Sequence, residues 1–515
     1  MSVSKQNKPN VILLYPKTGL DLASTIAPPH ALLAIAAPAD KAGYNIRIID
    51  QRIEKITEYS LKELISSDLI CVGISTMTGT QIRNSLDLAK IVRKLTNAPI
   101  VWGGTHPTIT AEQTLANEYV DIVVVGEGDI TFIELIRALE NKQSLREIKG
   151  IVYMDGGKPV ATEKRPLLNI EELLSTPWGL IDVEKYIHKN KDMYLKDRFR
   201  VLDLGQTSRG CPFNCGFCSS SSIRDRKWRA LSAENSFNMI KENVNRFNLD
   251  GFWLRDDEFY INRKRAHNIC ESIIEANLDV RFYTSGTRVD VFMRASHEEL
   301  ATLKRAGADT LKFGAESGSN RILKLMQKGV TVEETLAANR RCMEYDFIPA
   351  FALMMGYPTE TMEEINMTID LAYSLKKENP KAHIETIASY TAHPGTPDFN
   401  LALKHGLHPP HSLDGWTNWV LDDYDLKGEK LPWYNEKERI YIGNISLMSI
   451  LADSSEGIVK SFGFSNRLIG KLLKLCAQLS SKYFHMRLSN KRYKFAPELK
   501  MFQFLRQSLF RSKSA

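Results

Sequence analysis

Short apolar runs of strand type alternate with helical patterns through most of the chain, and this alternation restricts the fold more than any other feature of the sequence. In the first part, apolar runs rich in Ile and Val occupy residues 11–14, 46–49, 69–74, 100–102 and 122–125. Helical patterns fill the gaps between them, for instance at 81–95 and 130–139. Strands that alternate with helices indicate a parallel sheet. We therefore predict a doubly wound, Rossmann-like α/β domain over residues 9–145.

The same alternation returns over residues 196–400. Helical stretches separate six strand candidates, at 201–204, 251–254, 280–284, 310–313, 350–354 and 384–389. Six such units predict a partial (β/α)6 barrel, in which functional residues belong at the carboxyl ends of the strands. Residues 146–195 are predicted to be a connector that contains a small hairpin. Residues 401–515 are predicted to be a mainly helical C-terminal extension.

Three cysteines fall within one short segment, Cys211-Pro212-Phe213-Asn214-Cys215-Gly216-Phe217-Cys218. Three thiolates on one loop can bind three irons of a 4Fe–4S cube, whereas clusters held by protein alone normally use four cysteines. The fourth iron would then be free to bind a substrate or cosubstrate. Zinc would need a fourth Cys or His nearby, and disulfide frameworks are typical of small secreted chains. Surface thiols are the remaining alternative. We predict that these three cysteines are catalytic and hold the metal cluster.

Small and polar residues follow the predicted strands in both domains. In doubly wound sheets, ligands bind at the carboxyl ends of the strands. Those ends lie here at 75–78, 103–107 and 126–129, but no G-x-G-x-x-G opens the first helix, as a dinucleotide site would require. In the second domain the corresponding ends carry 256–259, 285–288, 316–319 and 356–361. Any one of these polar residues could merely cap the next helix; taken together they favour a binding site.

The cysteine spacing, with an aromatic residue before the last cysteine, resembles that of the radical S-adenosylmethionine superfamily. Segments 314–319, 328–331 and 356–361 resemble the family of the anaerobic magnesium-protoporphyrin monomethyl ester cyclase, which also holds cobalamin-dependent radical methylases. The resemblance covers about residues 9–400. It implies a 4Fe–4S cluster whose open iron binds S-adenosylmethionine. The residues expected to bind S-adenosylmethionine are Phe217, Asp256, Asp257, Ser285, Glu316, Ser317, Gly356 and Tyr357.

Particular roles follow for some of these residues. Asp256 and Asp257 could hold the methionine ammonium group, and Glu316 could hold the ribose hydroxyls, because a carboxylate offers two acceptors to a diol. Tyr390 and His393, close after the sixth predicted strand, are candidates for binding the substrate.

The strand ends of the first domain resemble those of the cobalamin-binding domain found in the same enzymes. The matching segments are 102–107 and 125–129. The D-x-H-x-x-G signature that supplies a histidine to cobalt would begin at Asp50, but Arg52 replaces the histidine and Lys55 the glycine. The resemblance implies base-off cobalamin without a histidine ligand; a domain that binds no corrin is the alternative. The expected cobalamin-binding residues are Ser75, Thr76, Met77, Thr78, Gly103, Gly104, Thr105, Gly126, Glu127 and Gly128.

The C-terminal tail, residues 457–515, carries all of the net positive charge of the chain. It holds 13 Lys and Arg and one acidic residue, a net charge of +12, whereas the other residues have a net charge of −5. Leucines recur in it at helical spacing, and a basic amphipathic helix is typical of a membrane-surface element or one that binds an anionic partner. A packed helix with a solvated basic face is the main alternative. We expect no nucleic-acid partner, because no stacking motif is present.

The resemblance implies two classes of reaction. The first is methylation of an unactivated carbon of a small-molecule or lipid-like substrate, through a 5′-deoxyadenosyl radical and methylcobalamin. The second is a non-methylating cyclase, oxidase or ring-rearranging reaction with the same cofactors; a corrin sensor is a more distant alternative. Either reaction needs an external one-electron donor of flavodoxin or ferredoxin type. The hydrophobic content of 43% is that of a globular protein. With no signal-peptide pattern and an oxygen-labile cluster, we expect an anaerobic, cytoplasmic enzyme with peripheral contact at a membrane.

Overall fold

The computed structural model describes residues 8–18, 26–173, 175–188, 194–195, 197–419, 430–453 and 467–499. Two sheets organise these residues, one in each predicted α/β domain. The expected doubly wound domain and partial barrel are both confirmed. No described helix has the length and apolar character needed to cross a membrane.

The first sheet contains seven strands in the order β2-β1-β3-β4-β5-β6-β7 among the described residues. Strands β1–β5 are parallel, and β6 and β7 run antiparallel. The hairpin predicted in the connector therefore extends this sheet, because it pairs with β5. The strands are β1 (Val11–Tyr15), β2 (Ile46–Asp50), β3 (Cys71–Ser75), β4 (Ile100–Gly103), β5 (Ile122–Val124), β6 (Ile151–Asp155) and β7 (Lys158–Ala161).

Helices lie on both faces of this sheet, as a doubly wound domain requires, because the buried strands present apolar side chains to each face. The helices are α1 (His30–Lys41), α2 (Glu58–Leu64), α3 (Thr80–Leu95), α4 (Thr105–Ile109), α5 (Ala111–Leu115) and α6 (Gly128–Glu140). Short 3₁₀ turns at Ile170–Glu172, Trp178–Leu180 and Val183–Lys185 lead to the second domain.

The second sheet has six parallel strands in the order β15-β14-β13-β12-β11-β8 within the described ranges. All six match predicted strands. A two-stranded ladder of β9 and β10 flanks the cysteine loop. The strands are β8 (Val201–Asp203), β9 (Ser208–Arg209), β10 (Arg229–Ala230), β11 (Gly251–Leu254), β12 (Arg281–Thr287), β13 (Ala308–Glu316), β14 (Ile348–Met355) and β15 (His383–Ser389).

Capping boxes set the start of three barrel helices. The side chains of Ser296, Thr331 and Thr361 each accept a hydrogen bond from the backbone N–H three residues later. The glutamate at that later position in turn accepts the backbone N–H of the capping residue. The barrel helices are α7 (Ser219–Ile223), α8 (Ala233–Phe247), α9 (Arg263–Glu275), α10 (Val289–Met293), α11 (His297–Arg305), α12 (Asn320–Leu325), α13 (Val332–Glu344) and α14 (Met362–Glu378).

The C-terminal extension packs along the outer strand of the barrel. It contains α15 (Pro397–Lys404), a 3₁₀ turn at Asp414–Asn418, α16 (Glu436–Asp453) and α17 (Arg467–Ser489). The backbone N–H of Ile387 in β15 donates to Ser449 of α16 at 3.1 Å, so the extension satisfies part of the sheet edge. Helix α17 lies where the leucine spacing predicts one; the later apolar residues of the tail, 502–510, lie outside the described residues.

Candidate active site

The three cysteines lie on the loop between β9 and α7, at the carboxyl end of β8. Backbone hydrogen bonds fix this loop against later elements: Gly216 N–H donates to Met326 O at 2.9 Å, and Asp398 N–H donates to Gly216 O at 3.0 Å. A side chain at Gly216 would collide with the Asp398 carboxylate, at 2.2 Å. Glycine at this position therefore allows the loop to reach the end of the barrel.

Two cations, Arg288 and Lys328, lie near Cys215. Arg288 donates to Cys215 Sγ at 3.4 Å, and its guanidinium lies 3.6 Å from the centre of the Phe213 ring. Burial raises the pKa of Cys211 to about 11 and also raises that of Cys218. A metal can bind these groups as thiolates, and the positive charge of Arg288 would stabilise that form.

The donor chemistry of this loop fits a 4Fe–4S cluster. Three thiols and adjacent cations suit a cluster that carries negative charge on its sulfurs. Among the described residues, no three His, Cys, Asp or Glu side chains converge as they would around a single metal ion. The cysteines of a cube bind separate irons and need not converge on one point.

The three carboxylates after β11 have different surroundings. Asp256 accepts hydrogen bonds from Thr207 and Ser208. Asp257 accepts from the backbone N–H of Gly210 at 2.9 Å, next to the first cysteine. Both aspartates therefore contact the polypeptide that carries the cysteines. Within the described part of the chain, Oδ2 of Asp256 has no hydrogen-bond partner.

Glu258 was not among the residues predicted to bind S-adenosylmethionine. It is 1% exposed, its Oε2 has no hydrogen-bond partner among the described residues, and burial raises its pKa to about 8. The charges of Arg288 and Lys328 act on it in the opposite direction. A buried carboxylate with a free oxygen is suited to an ammonium ligand. Its other oxygen, Oε1, accepts the backbone N–H of Tyr260 at 3.2 Å. The signal was present in the motif at 256–259, but the sequence alone does not show which carboxylate oxygens stay without a partner.

Glu316 is paired rather than free. It accepts a hydrogen bond from Lys328 Nζ at 2.7 Å, and both side chains are buried. Burial alone would lower the pKa of Lys328, but Glu316 and Cys215 raise it. Glu316 also has a φ of 63°, in a region that costs a residue other than glycine about 1–3 kcal/mol. The predicted ribose-binding carboxylate thus belongs to a buried ion pair beside the cysteine loop.

The other predicted residues of this domain fall into two groups. Ser285 is half-buried near the carboxyl end of β12, and the Ser317 hydroxyl accepts the backbone N–H of Ser319 at 3.1 Å, a local turn contact. Tyr357 and Tyr390 are buried with ring centres 5.0 Å apart.

Tyr357 and Tyr390 belong to an apolar cluster that also contacts Phe217 of the cysteine loop. Trp433 of the extension donates to Gly356 O at 3.1 Å, so residues after the barrel close over this end. His393 is half-buried, and burial lowers its pKa. The structure therefore places the predicted Gly356, Tyr357 and Tyr390 together beside Trp433, and Phe217 packs against the same apolar cluster.

A cavity of about 1030 Å³ lies between the two domains. Its volume suits a bulky cofactor better than a small ligand. The barrel contributes Arg209 of β9 together with Ile223 and Arg224 at the end of α7, and these two elements flank the cysteine loop. The predicted cobalamin-binding residues that line the cavity are Ser75, Gly103, Gly104, Thr105, Gly126, Glu127 and Gly128.

The other three predicted residues do not line the cavity. Thr76 is buried, with its hydroxyl 3.0 Å from that of Ser85. The hydroxyl oxygen of Thr78 lies 3.0 Å from Nδ1 of His106, and the side chain of Met77 is partly exposed. Their contact with a corrin stays a prediction.

Arg52 occupies the position of the missing histidine, and its side chain pairs with Asp50. It makes hydrogen bonds to both oxygens of Asp50, at 2.9 and 2.6 Å, and lies over the Tyr15 ring. A guanidinium has no lone pair to offer a metal. The residues present therefore fit a cobalamin that receives no ligand from this position.

Two ion pairs join the domains beside the cavity. Arg229 of β10 forms two hydrogen bonds to Glu127, at 2.9 and 2.7 Å, and Arg209 of β9 forms two to Asp129, at 3.1 and 3.0 Å. Burial alone would raise the pKa of Glu127, but Arg229 and Arg209 lower it. Glu127 thus lines the cavity while its charge is neutralised by the barrel.

Comparison with known protein families agrees with both halves of this arrangement. The radical SAM superfamily model matches residues 206–372, and the B12 binding domain model matches residues 17–136. An uncharacterised methyltransferase of Pyrococcus horikoshii is 32% identical over 77% of this chain and 84% of its own length. The anaerobic magnesium-protoporphyrin IX monomethyl ester cyclase of Cereibacter sphaeroides is 28% identical over 75% of this chain and 62% of its own length. The hopanoid C-3 methylase of Methylococcus capsulatus is 26% identical over 63% of this chain and 59% of its own length.

Solved structures show the same fold. The cobalamin-dependent S-adenosylmethionine radical enzyme OxsB, with aqua-cobalamin and S-adenosylmethionine bound, aligns with a TM-score of 0.71 at 19% identity. The alignment covers 97% of this chain and 75% of that one. The radical S-adenosylmethionine methyltransferase TsrM from Kitasatospora setae, with cobalamin and a [4Fe-4S] cluster bound, aligns with a TM-score of 0.62 at 16% identity, over 77% and 75% of the two chains.

Proposed function

Because this chain belongs to the cobalamin-dependent radical S-adenosylmethionine enzymes, we propose that it methylates an unactivated carbon of a small-molecule or lipid-like substrate. One observation carries the proposal: the inter-domain cavity is lined by Ile223 and Arg224, at the end of α7, the helix that follows Cys218. Arg224 also donates to Asp257, which holds the cysteine loop at Gly210. The space for a corrin thus adjoins the loop for the cluster, and a methyl donor and a radical source can serve one substrate.

The bound groups would supply the reactive species: the cluster and S-adenosylmethionine a radical that removes hydrogen, and cobalamin the methyl group. The chain contributes position and electrostatics. The three cysteines would hold the cluster, and Arg288 would balance its charge. Glu258 would accept the ammonium of S-adenosylmethionine. Tyr357 and Tyr390, which are buried and aromatic, would exclude water from this end of the barrel.

A second candidate is a cyclase-type reaction without methyl transfer. The observation that favours it is the magnesium-protoporphyrin cyclase relative, which aligns over nearly as much of the chain as the methyltransferase relative. Both reactions would use the same cofactor sites. They differ in whether the methyl group of S-adenosylmethionine reaches the product.

We also propose an electron donor and a cellular location for the enzyme. An external one-electron donor of flavodoxin or ferredoxin type would reduce the cluster, because cleavage of S-adenosylmethionine to a radical consumes one electron. We further infer a cytoplasmic enzyme with peripheral contact at a membrane. The net charge of +12 in residues 457–515 supports that contact.

The test is anaerobic turnover of the reconstituted enzyme with S-adenosylmethionine that carries a deuterated methyl group. Candidate lipids and pigments would be supplied with a chemical reductant and cobalamin. A product that gains the labelled methyl group supports methylation, while 5′-deoxyadenosine with an unlabelled, rearranged product supports the second candidate. The matched control is the protein with all three cluster cysteines changed to alanine. If that protein still makes labelled product, the cluster plays no part and the proposal is wrong.

A further inference from the structure

Helix α17 has two unlike faces. Its inner face packs on the barrel: Phe484 and Leu488 are 7% and 2% exposed, and Tyr373 of α14 donates to His485 O at 3.0 Å. Ser481 donates to the carbonyl of Ala452 at the end of α16. These contacts hold the helix against the rest of the molecule, so its outer face has a fixed position.

The outer face carries a row of exposed apolar side chains. Leu475, Leu479, Tyr483 and Met486 are 52%, 58%, 42% and 47% exposed. Their spacing of four, four and three residues places them on one side of a helix. Phe495, shortly after the helix, is 79% exposed. Single exposed apolar residues are ordinary on protein surfaces, whereas a contiguous row of them indicates a binding surface.

The charge around this row favours one kind of partner. Residues 467–489 contain five Lys and Arg and no Asp or Glu, and the whole tail has a net charge of +12. Lys482 is exposed between Leu479 and Tyr483. A second copy of the chain would bring the same positive charge to the interface and be repelled. An anionic bilayer offers both an apolar interior for the row and negative charge for the cations.

We propose that the outer face of α17, defined by Leu475, Leu479, Tyr483 and Met486, is a docking surface for an anionic phospholipid bilayer. The helix would lie in the plane of the headgroups with this row turned towards the acyl chains. This inference deepens the peripheral contact proposed above. It does not depend on the reaction, because membrane binding is measured without turnover.

The experiment is co-sedimentation of the full-length, cluster-loaded protein with vesicles. One set contains equal parts of phosphatidylcholine and phosphatidylglycerol, and the other phosphatidylcholine alone. We expect the protein to bind the anionic set, and to bind less as salt rises. The double substitution Leu475→Gln and Leu479→Gln leaves the charge unchanged and should weaken partition about tenfold or more, since two leucines lose their burial in lipid. The matched control, Tyr59→Gln with Met343→Gln, changes exposed apolar residues elsewhere and should bind like the wild type.

A second variant tests the charge. Lys482→Gln with Lys494→Gln should weaken binding to anionic vesicles and leave the weak binding to neutral vesicles unchanged. It also keeps the test decisive if the leucine variant loses its iron content or far-ultraviolet dichroism. The proposal is overturned if the wild type stays in the supernatant with anionic vesicles, or if neither variant differs from it. It is also overturned if sedimentation velocity shows that the leucine substitutions dissociate an oligomer, because the row would then join copies of the chain.

Discussion

Replacing Gly104 by alanine tests how the corrin cavity is built. Gly104 lies between β4 and α4 and lines the cavity, with φ 102° and ψ −171°. An added Cβ would lie 2.6 Å from the carbonyl oxygen and 2.9 Å from the nitrogen of Thr76. Both are backbone atoms, so the loop after β3 would have to move. Gly103 is the matched control, because its added Cβ would meet Val124 at 3.8 Å, an ordinary contact.

The size of the effect follows from the backbone conformation. The region that Gly104 occupies is almost exclusive to glycine, and entering it costs another residue about 1–3 kcal/mol. A domain of about 150 residues or more loses about 2–4 °C in melting temperature for each kcal/mol, so a loss of about 2 kcal/mol should lower it by about 4–8 °C. Movement of the loop after β3 should also weaken corrin binding about tenfold or more, which corresponds to about 1.4 kcal/mol.

Calorimetry of the cofactor-free protein would measure the stability, and absorbance titration with cobalamin would measure the affinity. Gly103→Ala should melt with the wild type, because its added Cβ makes only an ordinary contact. Since Gly103 also lines the cavity, the corrin affinity of this variant measures the cost of an added methyl group without backbone strain. The reasoning fails if Gly104→Ala and Gly103→Ala melt together with the wild type and bind corrin equally well. If both variants lose corrin while both remain stable, a side chain blocks the ligand directly and backbone strain is not the cause.

Three further predictions concern the barrel. Alanine at all three cluster cysteines should reduce the iron content from about four per chain to near zero and abolish 5′-deoxyadenosine formation, as measured by iron analysis and chromatography. Lys328→Met should cost about 3–5 kcal/mol in denaturant unfolding, because it leaves Glu316 buried and unpaired; adding Glu316→Gln should recover part of that loss, and an equally unstable double variant would contradict the pairing. Burial raises the pKa of Glu360 from about 4.5 to about 7. The protonated acid therefore stabilises the folded state, and this contribution to the free energy of unfolding is lost as pH rises from about 4.5 to about 7. Glu360→Gln should remove that part of the pH dependence of the melting temperature, and an unchanged pH profile would refute the assignment.

The sequence predicted the fold well because the strands are short, apolar and separated by clear helical patterns. It placed the strand ends less well. The third barrel strand was predicted at 280–284, but β12 continues to Thr287, which pairs with Phe313 of β13. The fourth was predicted at 310–313, but β13 runs from Ala308 to Glu316. Polar residues at the carboxyl ends of barrel strands face the site, so hydrophobicity does not mark them as strand.

Site residues could be predicted where one motif carries them and not where distant segments meet. The cysteine loop was evident from its spacing. Arg288 was not selected, because its contact with Cys215 joins residues 73 positions apart. The sequence also did not distinguish Asp256 and Asp257 from Glu258, since the difference depends on hydrogen bonds from the β8–β9 region. Glu127 was predicted to contact cobalamin, and its pairing with Arg229, 102 residues away, could not be seen from either motif.

The contact between Ile387 and Ser449 bears on how parts of such enzymes can be exchanged. A six-stranded parallel sheet that does not close has an outer strand whose backbone groups can pair with other chains. Helix α16 covers that edge at β15. Replacing residues 401–515 with the extension of a relative, in order to change the substrate, would therefore also replace the cover of β15. A chimera whose new helix does not fit that groove should aggregate through the uncovered strand even if its pocket is well formed.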